Sequence, residues 1–163
     1  MSARVFVDSS AYLALLDDSD QAHADAVRIL TQTAGERFRQ FVTNAVVIEA
    51  HALILSALGI RVASRFLRDI DNSNTVVVRI RAVDEERANQ IIYQYDDKDF
   101  SLTDAISFAV MERLGISRAL TFDRHFEQYG FQALARPLTV LGVRPNVAGA
   151  SNRCKELSCR PLF

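Results

Sequence analysis

Cysteine is scarce in this chain: there are two, Cys154 and Cys159, both within the last ten residues. Neither can staple a core, and a reducing cytoplasm is the simplest setting. Long apolar runs are missing too. None approaches the ~18 residues that a membrane span requires, so no membrane partner is expected. The opening MSARVFVDSS enters a strand almost at once, leaving no space for a charged region, an apolar region and a cleavage site, which predicts a chain that is not secreted. Nor is there an excess of positive charge. Lys plus Arg number 19 against 20 for Asp plus Glu, a net charge of -1, so no global field draws in nucleic acid. Any anionic substrate has to be held by local arginines or by a metal. Internal repeats and inter-domain linkers are also missing, and 163 residues suit a single core. The expected domain is 1–145, with 146–163 as a flexible tail without periodicity.

What is present alternates between two periodicities. Residues 4–7 read as a short buried strand that hands over at Asp8 to the helical SSAYLALLDDSD. From Ser19 a helix runs to Gly35, a C-terminal capping residue, and a second strand centres on Phe41 and Val42. NAVVIEAHALILSALG is a helix opened by Thr43 or Asn44 and closed by Gly59, with another over 60–70. TVVVRI is strand-like, VDEERANQIIYQY starts a helix with acids in its first turn, LTDAISFAVMERLG is a further helix, and ISRALTF a further strand. RPLTVLG is expected to add an edge strand. Strands alternating with helices predict an α/β fold whose mostly parallel sheet of four to five strands is covered on both faces.

Ligands of such sheets gather beyond the carboxyl ends of the strands, where strand order reverses. Asp8 and Asp123 both stand at strand carboxyl ends. Taken singly, each is more simply the N-cap of the helix that follows. Glu49 shifts the balance. It lies in AVVIEAHALILSAL, apolar on nearly every side, with no Lys or Arg within a helical turn, and a desolvated carboxylate wants a cation; the alternative is that it occupies the one exposed stripe. Asp104 fits a capping box in SLTD, with Thr103 as the alternative cap; either way a carboxylate stands in a helix's first turn, a position that also keeps a metal ligand ionised. Four acids converging on one cleft would repel one another unless a divalent cation lay between them. An oxygen donor set without a His or Cys cluster suits Mg²⁺ or Mn²⁺ rather than zinc. Such a cation activates water and stabilises charge on a phosphate, so phosphodiester hydrolysis is the chemistry implied.

VFVDSSAYLALLD, TNAVVIEAHALIL and above all DFSLTDAISFAVMERLGISRALTFDRHFEQYGF resemble the PIN-domain ribonucleases, in particular the VapC-type toxins of toxin-antitoxin pairs. The resemblance covers about residues 4–141. Its specific part joins Asp104, the Thr121-x-Asp123 pair and Phe126 at the family's order and spacing. It implies a three-layer α/β/α sandwich and a metal-dependent endoribonuclease in which Asp8, Glu49, Asp104 and Asp123 bind one or two Mg²⁺ or Mn²⁺ ions. Ser9 and Thr121 match hydroxyl positions that orient water or the acids. RNA substrate, a cognate antitoxin and a homodimer are the partners it implies. Arg124, beside Asp123, is the candidate contact to the RNA backbone, whereas Arg113 and Arg118 read as solvated charges.

Other residues carry weaker signals. Asp96, Asp97 and Asp99 read as a solvated loop, with an extra ligand as the alternative; His125 is a candidate RNA contact or proton carrier; His23 and His51 read as ordinary surface or packing residues. Cys154 and Cys159 read as free thiols rather than a metal pair. The alternative function is a catalytically silent module of the same fold that binds RNA or a partner, against which the four acids argue. A receiver-type signalling domain is disfavoured because Asp8 is followed by two serines and the only lysines are Lys98 and Lys155. The lack of a second acid two residues after Asp8 likewise disfavours haloacid-dehalogenase-type phosphatases.

Overall fold

The computed structural model describes residues 3–36 and 38–135. Its elements follow the order β1 (Arg4–Val7), α1 (Ser9–Leu16), α2 (His23–Gly35), β2 (Arg39–Thr43), α3 (Asn44–Leu58), α4 (Ile60–Asn72), β3 (Val76–Val78), α5 (Ala82–Gln94), α6 (Leu102–Leu114), β4 (Arg118–Leu120), α7 (Arg124–Tyr129) and β5 (Gln132–Ala133). The strands form one sheet in the order β3-β2-β1-β4-β5, and every pairing is parallel. Parallel neighbours need crossovers, which the helices supply.

β1 is the central strand and shows why Val5, Phe6 and Val7 are apolar in succession after the exposed Arg4. Val5 and Val7 pack with Ala11 and Ile29 of α1 and α2 on one face, while Phe6, pointing the other way, joins Val46, Ala88, Ile91, Phe108 and Phe126. A strand covered on both faces cannot alternate with polar residues. The result is the α/β/α arrangement, with a parallel sheet of five strands among the described residues.

Two sequence expectations need revision. The acidic first turn of α5 does more than favour the helix dipole: Asp84, 1% exposed, accepts from Arg113 Nε at 2.6 Å and from Nη2 at 2.9 Å, and its Oδ2 also accepts the Arg81 N–H at 2.9 Å. Arg113 is therefore a tie between α6 and α5 and not a solvated helix-end charge. Second, β5 at Gln132–Ala133 is a short edge strand that no sequence pattern announced, while the expected strand in RPLTVLG, the 146–163 tail and both cysteines lie outside the described residues. No helix among the described residues is long and apolar enough to cross a membrane.

Chain order β1, β2, β3 runs outward to one edge, and β4, β5 to the other. The reversal falls between β1 and β4, where the Asp8 N–H donates to Leu120 O at 3.1 Å. The carboxyl ends of these two strands therefore open side by side, as a switch point requires.

Candidate active site

Asp8 follows β1 and caps α1, its side chain accepting the Ser10 N–H at 3.2 Å. The same Oδ2 accepts the Ser10 hydroxyl at 2.6 Å and the Thr121 hydroxyl at 3.1 Å. Each of those hydroxyls accepts in turn from the chain after β4: Ser10 Oγ from the Phe122 N–H at 3.0 Å and Thr121 Oγ1 from the Asp123 N–H at 3.0 Å. The two strand ends are thus sewn together through Asp8. Ser10 is the residue that sequence reading missed. Its signal was present in the second serine of VDSS, since a hydroxyl two residues after an N-cap aspartate lies beside that carboxylate.

Asp123 caps α7, Oδ1 accepting the His125 N–H at 2.9 Å. Asp104 forms the capping box with Ser101: Oδ2 accepts the Ser101 N–H at 2.9 Å and the Asp104 N–H donates to Ser101 Oγ at 3.0 Å. The capping reading and the cleft reading of these acids therefore coexist. Caps fix each carboxylate's orientation while an edge of it faces the cleft. Phe126 anchors this segment from behind. It is fully buried, with its ring 5.0 Å from Phe108 and 6.2 Å from Phe6, a burial that contributes roughly 2–3 kcal/mol.

Glu49 comes from α3 and is half-buried. The Ser9 hydroxyl has one proton and spends it on Glu49 Oε2 at 2.7 Å, with Asp8 Oδ1 further off at 3.5 Å. Asp8, Glu49, Asp104 and Asp123, drawn from four parts of the chain, all line one cleft of about 360 Å³, together with Ser9, Ser10 and Asp99. His125 lines it too, and among the described residues no Lys or Arg does. Arg124 is exposed and lies outside this lining. His51 does not line it either, and His23 is occupied elsewhere, its Nδ1 2.9 Å from Ala14 O.

Electrostatics follow from that lining. Burial pushes the Asp8 carboxyl up to about 6, the charge of Asp104 adds to the rise, and the Ser10 hydroxyl with the Ser9 and Ser10 N–H groups opposes it. Four acids, two of them buried, gathered with no lysine or arginine among the described residues that line the cleft, leave room for an external positive charge. Carboxylate oxygens are the donors that hard divalent cations take, so the residues present fit such an ion. Among the described residues, Asp104, Asp123 and His125 offer ligand atoms all within 4.8 Å of one another.

Comparison with known proteins agrees with this geometry. The PIN domain family model matches residues 5–132. The 23S rRNA-specific endonuclease VapC20 of Mycobacterium tuberculosis is 33% identical over 132 residues, covering 78% of this chain and 95% of the relative, in each of two strains. A crystal structure of M. tuberculosis VapC20, described as a sarcin-ricin loop cleaving toxin, is similar with a TM-score of 0.73 and 31% sequence identity, over 78% of this chain and 95% of that one. With its parallel sheet, its switch-point carboxylates and these relatives, the chain belongs to the PIN-domain family, among its VapC-type members.

Proposed function

We propose that this chain is a divalent-metal-dependent endoribonuclease, the toxin of a toxin-antitoxin pair, in which Asp8, Glu49, Asp104 and Asp123 hold one or two Mg²⁺ or Mn²⁺ ions. The observation that carries this reading is the convergence of four carboxylates from separate elements on a cleft that, among the described residues, no lysine or arginine lines. When bound, a cation of this kind activates water for attack on a phosphodiester and neutralises charge growing on the phosphate.

The chain's own residues do the rest. Ser10 and Thr121 hold Asp8 by one oxygen, and Ser9 holds Glu49, so the carboxylates reach the substrate already oriented. Arg124, exposed beside Asp123, contacts the RNA backbone and compensates locally for the net charge of -1. An antitoxin restrains the enzyme by covering the same carboxylates. A homodimer is the assembly we expect. Exposed apolar Ile48 and Leu55, seven residues apart on one face of α3, support it.

Large-subunit ribosomal RNA is the first substrate to test, because the VapC20 relatives act on 23S rRNA. Purified protein incubated with total RNA and with isolated ribosomal RNA, in Mg²⁺, Mn²⁺ or EDTA, should give discrete ends with either metal and none with EDTA. Intact RNA in both metals, or cleavage undiminished by EDTA, would overturn the reading.

A further inference from the structure

We propose that the His125 imidazole is a nitrogen ligand of the cation held by Asp104 and Asp123, and that it tunes this cleft toward Mn²⁺ over Mg²⁺. The inference rests on the metal-dependent reading above and concerns a residue that the four-acid set leaves out. His125 Nδ1 stands 3.2 Å from Asp104 Oδ2 and 3.3 Å from Asp123 Oδ2. In the metal-free chain these are the separations of one ring N–H shared between two carboxylates, and a cation at this point takes the place of that proton. The ring nitrogen and an oxygen of each carboxylate lie within 4.8 Å of one another, close enough to share one ion. Adjacent ligands on a cation with bonds of about 2.0–2.2 Å stand roughly 3 Å apart, which these two separations approach.

The ring is held in place for that role. Its backbone N–H is bonded to Asp123 Oδ1 at 2.9 Å, so Asp123 and His125 belong to one α7 first turn. The Phe100 ring packs edge-on at 5.4 Å and 72°, and the His125 side chain is only 16% exposed. Asp104 Oδ2 already accepts the Ser101 N–H, which leaves one lone pair for the shared point. Mg²⁺ keeps an oxygen shell and sheds water reluctantly, whereas Mn²⁺, although it too favours oxygen, stands at the start of the first-row affinity series for mixed nitrogen and oxygen sites and accepts an imidazole nitrogen more readily than Mg²⁺ does. A nitrogen at this position therefore raises Mn²⁺ affinity more than Mg²⁺ affinity.

The test needs no RNA. Full-length protein carrying either ¹⁴N- or ¹⁵N-histidine is loaded with Mn²⁺ and read by pulsed electron paramagnetic resonance, and Mn²⁺ and Mg²⁺ affinities are measured by titration and competition. Expected is a directly bound histidine nitrogen coupling that changes with the isotope and vanishes in His125→Asn, whose Mn²⁺-over-Mg²⁺ preference falls about tenfold. The labelled native chain gives the answer even where the variant folds poorly. Mn²⁺ bound with oxygen couplings alone would overturn the ligand assignment and leave the metal site standing, and so would a nitrogen coupling that survives in His125→Asn. Native protein that binds neither ion would overturn both.

Discussion

The Ser9 hydroxyl donates to Glu49 Oε2 at 2.7 Å, joining the first turn of α1 to the middle of α3 across forty positions of sequence. It fixes the one acid of the four that no helix cap orients. Ser9→Ala removes that donor and leaves the apolar packing behind it. Metal affinity should fall on the order of 10-fold, in line with other losses of a ligand's supporting hydrogen bond, while the melting temperature of the metal-free protein stays nearly constant. Unchanged Mn²⁺ affinity in a titration would show that Glu49 needs no such support.

Asp8→Asn keeps the shape and one acceptor oxygen for Ser10 and Thr121 but removes the charge. RNA cleavage should be lost. Stability should move the other way. The carboxyl, pushed up to about 6 from 3.8, binds a proton more tightly folded than unfolded, so its stabilising contribution is complete below about 4 and disappears as pH rises through about 6. At pH 8 without metal the ionised group costs up to about 3 kcal/mol at 1.36 kcal/mol per unit. In EDTA the variant should therefore melt higher than the native protein at pH 8, and the gap should close toward pH 4. A native protein as stable as the variant at pH 8 in EDTA would contradict this account.

The Asp84–Arg113 pair lies away from the cleft and holds α5 to α6. Burial alone would raise the Asp84 carboxyl, but the hydrogen bonds and charge of Arg113, with the Arg81 N–H, outweigh it and hold the carboxyl below its usual range. A depressed carboxylate contributes stability above its unfolded value and loses it as pH falls, so acid unfolding below about pH 4 should be partly due to this group. Arg113→Ala strands the buried acid and should cost about 3 kcal/mol, near the low end for a broken buried pair because the arginine is partly exposed. Urea midpoints at pH 7 measure it. Cleavage per folded molecule should be unaffected, and a loss of activity without a loss of stability would place Arg113 in the substrate path instead.

Arg124→Ala tests the backbone contact. One lost phosphate contact should weaken RNA binding across sequences and lower the slope of log affinity against log salt by about 1. Fluorescence titrations at several salt concentrations read both quantities; equal slope and equal affinity would remove Arg124 from the interface.

Local chemistry was written plainly in the chain. Ser101 and Asp104 announce their capping box, Gly59 and Gly115 end α3 and α6, and both glycines take positive φ, 83° and 62°. Asp8 and Asp123 advertise strand ends because a helix must be capped where each strand stops. These features involve residues within four positions of one another, and side-chain reach alone specifies them. Long-range partners were not legible in the same way. Ser10 meets Phe122 across 112 positions, Asp84 finds Arg113 across 29, and β5 pairs beside β4 with only two residues. Nothing in those short segments names the neighbour, because the neighbour is chosen by strand order. The sequence by itself determined most of the elements, their caps and the stock of carboxylates available to a metal, though not the two-residue β5. Only the tertiary structure, by reversing strand order between β1 and β4, decided that Asp8, Glu49, Asp104 and Asp123 share one cleft. The physical reason is that burying both faces of a parallel sheet sets which strand ends stand side by side, and polar groups displaced from that core collect there.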